Sequence, residues 1–215
     1  MAQSKPILYS YFRSSCSWRV RIALAHKGID YEYKAVNLLT GEQLSEDFQK
    51  LNPSASVPVF IDNGNVISSS NAILEYLEDT VPREPLLPKD AISRAKVRGI
   101  ADSIVASIQP LQNMKVLKYV GEGFEAWGRH WVESGFESLE RILQDTHGEF
   151  CVGDSVTLAD VCLVPQVFNA SRFKVDMAPF PLIRDISSKL NALKAFKNSH
   201  PFVQPDCPDD LKTSN

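Results

Sequence analysis

The stretch Ile7-Leu8-Tyr9-Ser10-Tyr11-Phe12-Arg13-Ser14-Ser15-Cys16-Ser17-Trp18-Arg19-Val20-Arg21, running on to Gly28, decides the fold. Ile7, Leu8 and Tyr9 read as a short apolar strand. The hydroxyl-rich segment after them reads as a turn, and the remainder as a helix for which Gly28 is the stop. A strand that delivers the chain into a helix start builds an anion site. The first amides of a helix have no intrahelical acceptor, and the aligned peptide dipoles place partial positive charge there. The hydroxyls of Ser14, Ser15 and Ser17 at that terminus either cap the helix or hydrogen-bond a guest anion.

Working outward, residues 31–36 alternate as a half-buried strand does, completing a β-α-β unit. Residues 40–52 are polar, with Leu44, Phe48 and Leu51 at helical spacing. This predicts a short irregular helix whose exposed residues, including Gln43, can face a ligand. Residues 57–62 and 65–67 flank Asn63-Gly64 and spell a β-hairpin. Proline at the entrance of that central strand is unusual, and a cis Val57-Pro58 bond would account for it. Ser68-Ser69-Ser70 then open a second hydroxyl-rich helix start before Ala72, Ile73, Tyr76 and Leu77, so two helix N-termini can converge on one ligand. Pro82, Pro85 and Pro88 mark a linker. The divisions predicted are a domain over 1–82, a linker over 83–90 and a second domain over 91–215.

Strand signals vanish in the second domain. Residues 92–120 carry helical periodicity broken at Pro110, and residues 124–143 repeat it with Trp127, Trp131, Phe136 and Leu139 on the core side. Thr157-Leu158-Ala159-Asp160 is a capping box with Val156 and Val161 placed as a hydrophobic staple, so Thr157 and Asp160 are assigned to folding. The helix it opens is apolar nearly all round, predicting a buried spine bent at Pro165. A last helix is predicted over 182–196. Pro201, Pro205 and Pro208 then suggest an extended tail laid on the surface.

The chain has 215 residues and a formal charge of -3, with basic and acidic residues interspersed, which argues against a nucleic-acid or anionic-membrane surface. Residues 1–6 show no apolar leader and no run is long enough to span a membrane, so a soluble cytoplasmic protein is expected. The 4 cysteines, Cys16, Cys151, Cys162 and Cys207, are widely spaced, without zinc-ligand or disulfide-framework patterns; no metal is expected. Only Cys16 sits where its reactivity would matter.

The β-α-β then β-β-α half, the interstrand Val-Pro, the Pro-rich linker and the helical half with its capping-box helix together resemble a cytosolic glutathione transferase: a thioredoxin-like N-terminal domain followed by an all-helical C-terminal domain. Ser14-Ser15-Cys16-Ser17-Trp18-Arg19-Val20-Arg21 is similar to the signature of the zeta class, and Gln109-Pro110-Leu111-Gln112-Asn113 and Asn169-Ala170-Ser171-Arg172-Phe173 resemble that class in the helical half.

The resemblance implies glutathione as cofactor, with contacts from Ser14, Ser15, Cys16, Ser17, Trp18, Arg19, Gln43, Val57, Ser69, Ser70, Gln109, Asn113, Met114 and Lys115. Ser14, Ser15 and Cys16 form the catalytic set, with Ser14 the leading hydroxyl for the sulfur. It also implies a homodimer and cis-trans isomerisation of maleylacetoacetate to fumarylacetoacetate in tyrosine and phenylalanine breakdown, with thiol attack on small α-halo acids as a side activity. A reversible nucleophile suits that isomerisation, because addition leaves a single bond about which rotation is easy. For the small dicarboxylate substrate, Arg172 matches the substrate-side arginine of the class, with Arg13 and Arg19 as rivals. Ser69 stands where Gln or Glu is common, and Lys115 where a small polar residue is. The Ser69 departure predicts weaker glutathione binding, or compensation from Asn71 or a neighbouring subunit. Two alternatives stay open: Cys16 as nucleophile of a thiol-transferase or dehydroascorbate reductase, and a transferase-like interaction module without chemistry.

Overall fold

The computed structural model describes residues 5–212; the leader reading falls partly on residues 1–4, outside them. The elements begin with β1 (Ile7–Ser10), α1 (Ser15–His26), β2 (Glu32–Ala35), α2 (Glu46–Leu51), β3 (Val59–Asp62), β4 (Asn65–Ser68) and α3 (Ser70–Thr80). The sheet runs β2-β1-β3-β4, with β1 parallel to β2 and antiparallel to β3, and β3 antiparallel to β4. The hairpin turn holds Asn63 at φ 48° and Gly64 at φ 79°, the two positive values a tight two-residue turn demands, and Val57-Pro58 is cis. Gly28, at φ 61°, ends α1 as read: its N–H bonds Ala25 O, and Ile29 N–H bonds Leu24 O.

The helical part comprises α4 (Ala91–Asp102), α5 (Met114–Val120), α6 (Phe124–Thr146), α7 (Leu158–Arg172) and α8 (Pro181–Ala192), followed by α9 (Lys194–Ser199). The break expected at Pro110 spreads upstream, with a π-helical turn at Ser103–Ile108 running into a 3-10 turn at Gln109–Gln112. A proline lacks the N–H for the carbonyl four residues back and crowds it, and widening the preceding turn relieves both. The α7 capping box forms, and the helix is buried nearly all round. It continues through Pro165.

Two compact units emerge, Met1–Glu84 with Lys194–Asn215, and Pro85–Leu193. This corrects the division at 91–215. The single helix expected over 182–196 is cut at Leu193, whose extended backbone (φ -74°, ψ 143°) separates α8 from α9. α9 packs on α1, and the tail is no loose strap: Pro201, Gln204 and Cys207 are buried. Apolar burial and the bonds of Asp206 with Phe12 N–H and Tyr33 O–H outweigh the proline-rich tail's preference for an extended course. The linker residues are anchored as well. Lys27, fully buried, pairs with Glu78 at 2.6 Å and donates to the carbonyls of Val81, Arg83 and Glu84. Within the second unit, Leu158 N–H bonds Leu86 O.

Candidate glutathione site

β1 ends at Ser10, and the chain turns through Tyr11, Phe12 and Arg13 before α1 starts. Ser14 is the N-cap: its Oγ accepts from Ser17 N–H at 3.2 Å, and its carbonyl from Trp18 N–H. The capping reading is therefore met in the structure, and it does not compete with ligand binding. A hydroxyl that accepts through a lone pair keeps its O–H to donate. The amides of Ser15 and Cys16 precede the first intrahelical bond, and the first turn of α1 carries no acidic side chain.

Ser15 is buried and Cys16 half-buried; Arg13 in the turn is exposed. Ser17, Trp18 and Arg19, expected among the glutathione contacts, are buried. Trp18 donates its Nε1–H to Ser199 Oγ, and Ser17 Oγ is buried without a partner among the described residues. Arg19, named with Arg13 as a rival to Arg172, is at 0% exposure. Its Nη1 donates to Ser70 Oγ at 3.3 Å and lies 3.9 Å from Cys16 Sγ, so it ties the two hydroxyl-rich helix starts together from behind. Its Nε and Nη2 find no acceptor among the described residues, and no carboxylate there pairs with it. The charge is left to act on its surroundings.

At the start of α3, Ser69 has φ 78° and ψ 122°, a conformation that costs a non-glycine residue about 1–3 kcal/mol, and its side chain makes no cap bond. Strain of this kind is a mark of functional sites. The first turn of α3 also lacks an acid. Val57 packs with Tyr11 and Phe12 in one apolar cluster, which puts the cis-proline loop against the Ser14 turn. Asn52 braces that loop, donating to Ser56 O at 2.7 Å and accepting from Ser54 N–H. Gln43 is half-buried, and its Oε1 is buried without a partner among the described residues.

The other candidates lie on the second unit. Asn113 caps α5 by accepting from Lys115 N–H, and Asn113, Met114 and Lys115 are exposed. Gln109 opens the 3-10 turn, which Trp127 props by donating to Leu111 O at 2.9 Å and Gln166 steadies by donating to Gln112 Oε1. Trp127, assigned to the core from its spacing, is half-buried and carries this polar task too. Arg172 is exposed at the end of α7, its guanidinium 5.4 Å from the Phe173 ring centroid. A Cβ at Gly128 would collide with that ring, and Arg129 donates to Phe173 O, so α6 fixes the residue against which Arg172 lies.

Residues 4–79 match the family model "Glutathione S-transferase, N-terminal domain". The chain is 57% identical to maleylacetoacetate isomerase of Rattus norvegicus over 99% of this chain and 100% of that one. A bacterial zeta-class maleyl pyruvate isomerase structure superposes with a TM-score of 0.91 at 40% identity, covering 94% of this chain and 100% of that one. The chain belongs to the zeta class of glutathione transferases. A structure of maleylacetoacetate isomerase from Anaeromyxobacter dehalogenans is 43% identical with a TM-score of 0.88, covering 96% of this chain and 100% of that one, and holds glutathione in its active site. A second structure of that enzyme, 42% identical with a TM-score of 0.87 over 96% of this chain and 99% of that one, carries dicarboxyethyl glutathione and citrate.

Sequence reasoning about this zeta-class chain missed Arg21, Asn52 and Asp206. Arg21 left a signal, a charge set between Val20 and Ile22 inside a helix. Asp206, between prolines and a cysteine, left none.

Proposed function

We propose that this zeta-class protein catalyses the glutathione-dependent cis-trans isomerisation of maleylacetoacetate to fumarylacetoacetate, in the cytoplasm, as a homodimer serving tyrosine and phenylalanine breakdown. The observation that carries the reading is the α1 terminus, where a serine caps the helix with its oxygen while its O–H stays available, and no acid sits in the first turn. The residues present suit a bound tripeptide thiol: two helix starts without acids, the strained Ser69, and the orphaned Gln43 Oε1.

Bound glutathione supplies a thiol nucleophile that adds reversibly to the conjugated double bond. Free thiols have a pKa near 8.5. The work of this chain is to favour the anion, with the Ser14 O–H, the Cys16 amide, the α1 dipole and the buried Arg19 charge acting in one direction. Ser69, Ser70, Gln43 and the Val57 backbone hold the peptide. Arg172 holds a substrate carboxylate in its planar fork, with Arg13 as the remaining rival. Fixed donors near the conjugated carbonyl stabilise the charge that develops there. The same parts would serve thiol attack on small α-halo acids.

A second reading takes Cys16 as the nucleophile, favoured by the approach of Arg19 Nη1 to its sulfur. Calorimetric titration with glutathione and the isomerase assay in saturating glutathione separate these readings. Cys16→Ala is expected to keep most of the isomerase activity and Ser14→Ala to lose roughly 100-fold or more, as removal of a donor to a reacting anion does. Loss of activity in Cys16→Ala alone would hand the role to the cysteine, and no glutathione binding would leave only an interaction module.

A further inference from the structure

The turn that carries Ser14 is held by groups outside it. Arg21, at 1% exposure, donates from Nη1 to Ser10 Oγ and Tyr11 O and from Nη2 to Phe12 O at 2.8 Å, while its Nε donates to Ser199 O. Tyr11 O also accepts from Ser14 N–H at 3.0 Å. Phe12 N–H, two residues before the cap, donates to Asp206 Oδ2 at 2.8 Å, and the other oxygen, Oδ1, accepts from Tyr33 O–H at 2.6 Å. Tyr33 lies on β2, beside β1. Cys207 packs in the apolar cluster that contains Tyr11, Phe12 and Val57. Gln204 folds the tail onto itself by donating to the carbonyls of Asn198 and His200.

We propose that the C-terminal tail is a working part of the glutathione site, with Asp206 a positioning residue that sets the Ser14–Cys16 turn through Phe12 N–H while Tyr33 aims its carboxylate. The inference rests on the reading of that turn as the thiolate's seat. Its physical basis is that Tyr11 O and Phe12 O are taken up by Arg21, and the Phe12 amide by a residue 194 positions away. Releasing that amide lets the segment between β1 and α1 swing, and displacement by about 1 Å is enough to spoil a reacting geometry. Asp206 touches neither glutathione nor substrate in this scheme. Coupling of this sort is reciprocal: if tail order favours glutathione, glutathione must favour tail order.

The test compares wild type with Asp206→Ala, Asp206→Asn and Tyr33→Phe in the full-length protein. Asp206→Ala should raise the KM for glutathione roughly 10- to 100-fold, the size expected for losing a hydrogen bond to a charged group. It should also reduce the ultraviolet thiolate absorbance of bound glutathione. Asp206→Asn retains an oxygen for Phe12 N–H and should recover most of both. Tyr33→Phe, which leaves the Phe12 bond in place, should fall between Asn and wild type. Amide exchange on the wild type serves if Asp206→Ala does not fold: glutathione should slow exchange at Phe12 and across residues 201–211. A folded Asp206→Ala with KM and thiolate signal within about twofold of wild type, or tail exchange indifferent to glutathione, overturns the proposal. Wild type that takes up no glutathione would bring down the functional reading with it, whereas equal binding by wild type and Asp206→Ala would sink this inference alone.

Discussion

The starts of α1 and α3 in the first unit are finished differently from those of α4, α7 and α8 in the second, whereas α2 carries Glu46 and Asp47 in its first turn. In the second unit, α4 is capped by Asp90, whose Oδ1 accepts from Ser93 N–H at 2.8 Å. At α7, Asp160 accepts from Thr157 N–H and Oγ–H and from Cys151 N–H. α8 is closed from α6 by Glu140, whose two oxygens take Leu182 and Ile183 N–H at 2.7 and 3.1 Å. In the first unit, α1 and α3 begin with serines and no acid. A carboxylate at a helix start satisfies amides and offsets the dipole, so nothing is left for a guest. At α1 and α3 the first-turn amides have no carboxylate of the same turn to satisfy them.

The largest effect should come from making α1 resemble α7. Ser14→Asp retains a good N-cap but fills the anion seat, and should cut isomerase activity roughly 100- to 1000-fold in a steady-state assay while leaving the melting temperature unchanged or higher. The reverse operation, Asp160→Ala, strips a buried carboxylate that accepts three bonds, and should cost about 3 kcal/mol in denaturant unfolding. Survival of full activity in Ser14→Asp would break the contrast.

Arg172→Lys keeps the charge and loses the fork. It should lower kcat/KM for the dicarboxylate about tenfold and affect a neutral thiol acceptor far less; equal losses would mean a structural role. Ser69→Gly relieves the positive φ and should stabilise the fold by about 1 kcal/mol while loosening the glutathione contact, seen as a higher melting temperature together with a higher KM.

The smallest effect concerns His200, whose Nδ1 accepts from Phe202 N–H and whose ring lies against Trp18. Burial first, and then Arg21, hold its pKa below the usual 6.5. The unfolded chain therefore takes the proton first. Stability is complete above about pH 6.5 and declines as the pH falls through the window between that value and the folded one. Melting curves across this range should show the decline, and His200→Gln should flatten it.

The β-α-β-β-β-α order, the Asn63-Gly64 hairpin, the stop at Gly28 and the α7 capping box were all legible in the chain, because each depends on neighbours within about four residues. The zeta-class motif was legible as a string. Its division of labour was not: Ser14 faces the turn while Ser17, Trp18 and Arg19 face inward, and a helix buried nearly all round gives no amphipathic stripe from which to tell them apart. Ser69's left-handed backbone and the orphaned Gln43 Oε1 were likewise beyond local reading.

By itself the sequence determined which segments become strands and most of the helices, the stop of α1 and the start of α7, and that a hydroxyl-rich terminus without acids follows the first strand. Tertiary structure alone decided that residues 194–212 return to the first unit, that Arg19 links Cys16 to Ser70, and that Asp206 meets Phe12. Short-range hydrogen bonding and side-chain periodicity are written in adjacent residues. A contact between residues 12 and 206 depends on how every element between them packs, and no local pattern encodes it.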